Sequence, residues 1–425
     1  MLKSIILAAG KGTRMKSDKP KVLHEIFNKS LLGYVIEAVN DTGFADENIV
    51  VVGHQAEKVE EYIESNYKNV KTVLQSPQLG TGHAVSMALP SLNDFDGEVV
   101  ILCGDTPLIT SQTIKEFVEY HRKENSDLTV MSAIFDNPTN YGRIIRNSDS
   151  SLNSIVEEKD ATAEQKKVKE VNAGIYCLNW AKIKPAFKDL KTNNAQGEYY
   201  LTDIIKWSCG KCLKTLAYTL KNNEEIYGIN SKANLAEETK FLNKRIIKKH
   251  LDNGVTIIDP NTTWISPETE IESDTIIYPS CYIEGRNKIG KNCKIGPFAH
   301  LRGDVILEDN VKIGNFVEVK KTIVKSNTNA CHLTYLGDSE IGSNVNIGAG
   351  TITANYNPLT KEKSKTIIKD NVKIGSNSVL VAPVTIEEGA NVGAVGVITK
   401  DIPAWALAIT RSPLKIIEGW VKRGK

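Results

Sequence analysis

Two rhythms of hydrophobic and polar residues divide the chain. Up to about residue 230, short apolar runs alternate with longer mixed stretches. Ile5-Ile6-Leu7, Ile49-Val50-Val51-Val52 and Val99-Val100-Ile101-Leu102 are continuously apolar, as strands buried on both faces are. Lys58–Tyr67 and Ser111–Lys123 carry the spacing of amphipathic helices. Strands alternating with helices predict a mostly parallel, Rossmann-like sheet with both faces covered. Over 231–253, Leu235, Leu242, Ile246 and Leu251 recur near helical spacing between Ser231, an N-cap residue, and Gly254, a helix-ending residue. This predicts one connecting helix, although a surface helix of the first domain fits the same pattern.

From 254 the period becomes six. Ile265, Ile271, Ile277, Ile283, Ile289, Ile295, Leu301, Leu307, Ile313 and Val319 follow one another at that interval. The register breaks, returns at Ile341 and Ile347, and resumes at Ile374, Leu380, Ile386, Val392 and Ile398. An α-helix repeats at about 3.6 residues and a strand at 2, so six fits neither alone. It fits a parallel β-helix of hexapeptide repeats, each flat side contributing one inward aliphatic. The small residue that often follows the aliphatic is expected to permit the corner. At about 18 residues per coil, 255–400 should hold roughly eight coils.

Composition narrows the class. The 425 residues are 41% hydrophobic and 24% charged, enough for two or three cores. Lys plus Arg number 53 against 51 Asp plus Glu, which argues against a dedicated nucleic-acid binder. No apolar run approaches the ~20 residues of a membrane span, and the first ten residues do not form a secretory signal. Seven cysteines, an odd number, do not suggest a disulfide framework, so a reducing, cytoplasmic setting is expected. Cys209-Gly210-Lys211-Cys212 has no second pair to complete a zinc site and reads as two incidental helix cysteines.

Candidate chemistry lies at two places. After the first strand, Gly10 and Gly12 can bring backbone N–H groups close to phosphate oxygens, with Arg14 and Lys21 adding positive charge. Met15 stands where a dinucleotide fingerprint has its third glycine, and no Walker lysine follows, so a plain strand-to-helix turn fits equally well. Asp105, just past the apolar run 99–102, stands where ligands bind in open α/β sheets and suits Mg²⁺, or it caps the next turn. In the repeat region, His332 with Lys320 and Arg302 nearby offers a base and phosphate-binding cations, or a structural histidine.

Taken together, the motifs resemble a family. Leu7–Met15, Lys19-Pro20-Lys21-Val22-Leu23, Gln75, Leu79–Ala84 and Gly104-Asp105 look like a sugar-1-phosphate nucleotidyltransferase. Tyr141-Gly142-Arg143, Ile155-Val156-Glu157, Val171–Gly174, Asn194–Asp203 and His332–Asp338 resemble the bacterial bifunctional N-acetylglucosamine-1-phosphate uridylyltransferase/glucosamine-1-phosphate acetyltransferases. The resemblance runs over nearly the whole chain. It implies an α/β nucleotidyltransferase domain over 1–230, a linker helix over 231–253, and a left-handed parallel β-helix acetyltransferase domain with a tail over 254–425.

It also implies roles. Leu7, Ala8, Ala9, Gly10, Gln75, Gly80 and Thr81 would bind the uridine nucleotide, and Lys21 and Arg14 would neutralise phosphate. Gly142, Glu157 and Asn172 would hold the N-acetyl sugar, and Asp105 and Asn230 would hold Mg²⁺. His332 would be the general base for acetyl transfer. Arg302, Lys320, Tyr335, Asn346 and Lys363 would bind glucosamine-1-phosphate, and Ala349, Asn355, Tyr356, Ser376, Ala394 and Arg411 would bind acetyl-CoA. UTP, acetyl-CoA and the two sugar phosphates are the implied substrates. The outer faces of the β-helix are expected to carry Phe298, Phe316, Val317, Tyr335 and Tyr356, which packing around a threefold axis would bury, and the resemblance implies the same homotrimer. Departures from the family pattern are Cys103 in place of Tyr, no Pro after Arg302, Cys331 in place of Gly, a 357–364 loop about two residues longer, and an early β-helix shorter by one to two coils. The longer loop leaves Lys361 and Lys365 as alternatives to Lys363.

Two other functions fit parts of the sequence. A single-function nucleotidyltransferase would use the β-helix only to oligomerise, against which stand His332 and Asn355-Tyr356. A non-catalytic regulatory subunit need not keep Lys11–Arg14, Lys21 and Asp105 together, and this chain keeps them all.

Overall fold

The computed structural model describes residues 1–410 and 413–420. The chain forms two compact units, Met1–Lys240 and Phe241–Lys425.

The first unit is built on nine strands: β1 Leu2–Leu7, β2 Ala45–Val52, β3 Val70–Leu74, β4 Glu98–Cys103, β5 Leu128–Ile134, β6 Arg143–Arg146, β7 Leu152–Val156, β8 Glu170–Asn179 and β9 Thr215–Thr219. The main order is β9-β5-β8-β4-β1-β2-β3. All neighbours on this path are parallel except β8, which runs antiparallel to β4 and β5. The continuous apolar runs are explained by burial on both faces. Ile6, Val50, Val52, Val100 and Leu102 face one core, and Ile5, Ile49, Val51, Val99 and Ile101 face the other. From β1 the chain moves outward to β2 and β3, then returns to β4 on the other side of β1. The strand order therefore reverses between β1 and β4, and a crevice at their carboxyl ends is the expected binding place.

The second unit is the β-helix. Its parallel sheets have nine, eight and seven strands, or about eight coils at one strand per sheet per coil. Every aliphatic of the ten-member series is buried, from Ile265 to Val319. The apparent break is two shortened sides, Val319 to Val324 and Leu336 to Ile341, each five residues long, with Val324, Ala330 and Leu336 holding the interior position. A second interior row lies two residues earlier and is made of smaller groups: Cys281, Cys293, Ala299, Val305, Val311, Val317, Thr322, Thr328 and Thr334. Thr322 and Thr328 satisfy their hydroxyls by donating to Leu336 O and Gly342 O. Val317 is therefore interior, 1% exposed, not on the outer face as expected.

The corner expectation also needs correction. The left-handed residue comes three positions after the aliphatic, as at Asp274, Ser280, Asn292, Phe298, Asp304, Asn310 and Phe316. The glycine that follows the aliphatic has a different task. A Cβ at Gly314 would lie 1.9 Å from Cys331 O, so this glycine permits close stacking of coils.

The connecting helix, α1, spans Lys232–Asp252, and the division between the units falls inside it. Ser231 Oγ accepts from Asn234 N at 3.2 Å, and Val255 N donates to His250 O across Gly254, which has φ +87°. Leu242, Ile246, Ile247 and His250 are buried, whereas Leu251 is 41% exposed. The burial follows Ile246 to His250 at a spacing of four and leaves Leu251 in the final turn outside it. Asn243 docks α1 to the first coil, donating to Thr263 O at 2.8 Å and accepting from Ile265 N at 3.2 Å. Cys209 lies in the last turn of the helix Asp203–Gly210, while Cys212 lies beyond it in an exposed left-handed turn, so the two do not share the helix.

Candidate active sites

The first site grows out of the carboxyl ends of β1, β2 and β4. Ala8 N donates to Val51 O at 2.8 Å, and Gly104 N donates to Leu7 O at 2.9 Å, so the loops leave the sheet in fixed positions. Gly12 has φ +60°, and a Cβ there would meet Lys21 Cβ at 2.6 Å. Glycine thus serves both the turn and the approach of Lys21. On the opposite wall, Gly80 has φ +110° and packs on the Tyr199 backbone. Gln75, 3% exposed, donates from Nε2 to Gly80 O at 3.0 Å.

These loops enclose a cavity of about 630 Å³. Leu7, Ala8, Ala9, Gly10, Arg14, Lys21, Gln75, Gly80, Thr81, Asp105 and Asn230 all line it. Gln78, Cys103, Gln196 and Glu198 line it as well and carried no assigned role in the sequence. Gln196 and Glu198 lie inside the quoted 194–203 motif, the one signal that pointed to them.

Lys21 Nζ pairs with the Asp105 carboxylate and donates to Asn230 Oδ1 at 3.2 Å. Ile229 N donates to Asp105 O at 2.9 Å and draws the two segments together. The Asp105 carboxylate and the Asn230 amide oxygen therefore lie within reach of a single cation. Mg²⁺ takes one or two protein oxygens with substrate phosphates completing its shell, so this donor pair fits it. Among the described residues, no group of three or more His, Cys, Asp or Glu gathers as a separate metal centre.

Gly142, Glu157 and Asn172 form a neighbouring cluster and do not line that cavity. Asn172 N donates to Gly142 O at 2.9 Å, and a Cβ on Gly142 would stand 3.5 Å from both carboxylate oxygens of Glu157. Burial pushes the Glu157 carboxyl above its usual range, although Thr202 donates to it at 3.2 Å. The register of β8 slips between Asn172 and Tyr176, lifting Gly174 at φ +73°. Cys103 Sγ reaches Gly174 O at 3.6 Å and so joins the cavity to this cluster. Burial pushes its thiol up to about 12, which keeps it protonated.

The second site lies on the β-helix. His332 ends the strand Asn329–His332, opposite Asn315 of the preceding coil. Its Nδ1 is 3.1 Å from Asn315 Oδ1, and Thr334 Oγ1 donates to its carbonyl at 2.7 Å. Ala330, not Cys331, occupies the interior position, and Cys331 is half-buried. From Ile313 onward, the residues two places past the interior positions Ile313, Ala330, Ile347, Ile374 and Val392 of this sheet form a column: Asn315, His332, Ala349, Ser376, Ala394. Backbone bonds step along it, Leu333 N to Asn315 O, Gly350 N to His332 O, Asn377 N to Ala349 O and Val395 N to Ser376 O. Beyond His332 the column carries only small side chains.

Arg302, Lys320 and Tyr335 lie on successive strands of the adjoining sheet, and Asn346 lies one coil after Asn329. Arg302 pairs with Glu318 at 2.7 Å, and that hydrogen bond pushes the guanidinium further up. An excursion leaves the coil at Asn355 and returns at Thr366. Asn355, 7% exposed, donates to the Asp338 carboxylate. Tyr356 is exposed and bridges Lys363 across the excursion, Lys361 sits in a left-handed turn, and Lys365 pairs with Glu340 at 3.1 Å. Of the three candidate lysines, Lys363 is the one beside Tyr356. Arg411 lies outside the described residues.

Comparison with known proteins adds identity to this geometry. Residues 3–238 match the nucleotidyl transferase family, and residues 288–321 match the bacterial transferase hexapeptide (six repeats) family. A protein described as bifunctional protein GlmU from Thermoanaerobacter pseudethanolicus is 46% identical over 99% of this chain and 98% of its own length. Proteins of the same description from Caldanaerobacter subterraneus subsp. tengcongensis and Acetivibrio thermocellus are 47% and 44% identical over 99% and 100% of this chain and 98% of their own lengths. The first alignment spans 454 positions against a chain of 425 residues, so it carries gaps in this chain.

Proposed function

This chain belongs to the family of bifunctional GlmU proteins, and on that premise we propose how its two sites divide the synthesis of UDP-N-acetylglucosamine. The β-helix transfers the acetyl group of acetyl-CoA to glucosamine-1-phosphate. The first unit then transfers the uridylyl group of UTP to N-acetylglucosamine-1-phosphate and releases pyrophosphate. The observation that carries this reading is the coexistence of the Lys21–Asp105–Asn230 cavity and the His332 column in one chain. The working boundaries are 1–230 for uridylyl transfer, 231–253 for the connection and 254–425 for acetyl transfer.

At the β-helix, Asn315 accepts the Nδ1 proton of His332 and leaves Nε2 free to take a proton from the attacking amine. The C–N bond forms, the C–S bond breaks, and the proton passes on to the departing CoA thiolate. Arg302 and Lys320 offset the sugar phosphate charge, with Tyr335, Asn346 and Lys363 completing that subsite. Acetyl-CoA runs along the small column of Ala349, Ser376 and Ala394, beside Asn355 and Tyr356, with Arg411 of the tail.

At the first site, Leu7, Ala8, Ala9, Gly10, Gln75, Gly80 and Thr81 hold the uridine nucleotide. Gly142, Glu157 and Asn172 hold the N-acetyl sugar. A sugar-phosphate oxygen attacks the α-phosphorus of UTP and pyrophosphate leaves, while Lys21 and Arg14 offset the charge on the phosphates. Mg²⁺ held by Asp105 and Asn230 would supply further charge neutralisation and orientation.

We also propose a homotrimer formed through the β-helix. Phe298 and Phe316 are 52% and 55% exposed and stack with ring centroids 5.2 Å apart, and Leu333 at the next coil is 62% exposed. This apolar corner adjoins Asn315 and His332, and a closed threefold contact would bury it. The seven cysteines are free, which agrees with work in the cytoplasm, where UTP and acetyl-CoA are made. Among the described residues, no helix is long and apolar enough to cross a membrane. The reading is tested by supplying the purified chain with glucosamine-1-phosphate, acetyl-CoA, UTP and Mg²⁺. Free CoA and UDP-N-acetylglucosamine should both appear; formation of CoA alone, or of neither product, would refute it.

A further inference from the structure

Asp338 stands where the excursion Asn355–Lys365 both leaves the β-helix and rejoins it. It occupies a shortened corner at φ +48°, between the strands Tyr335–Gly337 and Ser339–Ile341. Its backbone N donates to Lys320 O at 3.0 Å, which ties it to the coil before. Its carboxylate accepts from Nδ2 of Asn355, the first residue of the excursion. Its carbonyl accepts from N of Thr366, the first residue after it, at 3.3 Å. Within the excursion, Ser364 N donates back to Asn355 O at 2.9 Å, so both ends are drawn to the same corner. The neighbouring Gly337 leaves room for this arrangement. A Cβ there would lie 2.3 Å from Tyr335 Oη and 2.8 Å from Asn355 Nδ2.

We propose that Asp338 is a positioning residue for acetyl transfer, a clasp that fixes the root of the excursion so that Asn355 and Tyr356 present a rigid edge to acetyl-CoA. The inference rests on the reading above, in which Asn355 and Tyr356 line the acetyl-CoA site. Asp338 itself touches no reacting atom. Removing its carboxylate leaves the Asn355 amide without its acceptor, frees the excursion and weakens substrate and transition state alike. Such a loss appears in KM with kcat nearly unchanged.

The test compares full-length Asp338→Ala, Asp338→Asn and Asn355→Ala with the parent, reading kcat and KM for acetyl-CoA and the rate of tryptic cleavage at Lys361 and Lys363. Asp338→Ala should raise KM by about tenfold or more, hold kcat within about threefold and speed cleavage. Asp338→Asn keeps an oxygen that can accept from Asn355 Nδ2 and should restore KM to within about threefold of the parent. A parental KM in Asp338→Ala, a kcat loss without a KM change, or equal damage from Asp338→Asn would overturn the clasp. Should Asn355→Ala also keep the parental KM, the placement of acetyl-CoA beside the excursion fails first. An Asn355→Ala defect beside an unaffected Asp338→Ala sinks the clasp alone.

Discussion

His332 Nδ1 lies 3.1 Å from Asn315 Oδ1, its register partner one coil earlier. An amide oxygen can only accept, so this contact holds the imidazole proton on Nδ1 and exposes the Nε2 lone pair. Asn315→Ala should lower kcat for acetyl transfer by about tenfold, because the ring loses its tautomer and orientation. Asn315→Asp should move the acidic limb of the pH–rate profile upward, because a carboxylate stabilises the imidazolium. Profiles that superimpose on the parent would remove Asn315 from the account.

The pairing of Lys21 with Asp105 and Asn230 predicts a loss confined to one reaction. Asp105→Asn and Lys21→Ala should each reduce uridylyl transfer by about a hundredfold or more and leave acetyl transfer within about twofold. Both reactions are followed on the same preparation. Parallel loss of both, with unchanged circular dichroism, would contradict two separate sites.

Much of this was legible in the chain because periodicity reports burial. Continuous apolar runs gave the central strands, and the six-residue repeat gave one interior row of the β-helix. The second interior row, with Val317, was hidden because its mixture of Thr, Cys, Ala and Val has no hydrophobic signature. Three of the left-handed corners, Phe298, Phe316 and Leu333, were hidden because those residue types seldom adopt that backbone. The glycines after the first strand pointed to Gly12, and the family resemblance pointed to Gly80. The contact of Asp338 with Asn355, 17 residues apart, depends on coil stacking and has no local pattern.

Acid should destabilise both units. His121 in the first and His250 in the second are held below the ordinary histidine value, chiefly by burial. Between the folded values and about pH 6.5 the unfolded chain binds more protons, so stability rises with pH across that window and levels off above it. The melting temperature should therefore fall by several degrees from pH 7.5 to 5.5, and His121→Gln should flatten part of that slope. A slope identical to the parent's in His121→Gln would assign the acid sensitivity elsewhere.

The exposed Phe298–Phe316 stack predicts assembly. Sedimentation equilibrium should report a species of about 140 kDa, three copies of the 46.8 kDa chain. Phe316→Lys should shift it toward the monomer by placing a charge in the apolar contact. A stable, acetylation-active monomer of the parent chain would contradict the proposal.

The central claim is that one chain performs two reactions at two sites. The most direct measurement mixes Asp105→Asn and His332→Ala proteins, each inactive alone in making UDP-N-acetylglucosamine from glucosamine-1-phosphate, acetyl-CoA, UTP and Mg²⁺. Asp105→Asn alone should accumulate N-acetylglucosamine-1-phosphate and CoA. His332→Ala alone should make the nucleotide sugar only when N-acetylglucosamine-1-phosphate is added. Together they should restore the full conversion through the freely diffusing intermediate. Absence of product from the mixture, while each variant keeps its remaining half-reaction, would contradict the account.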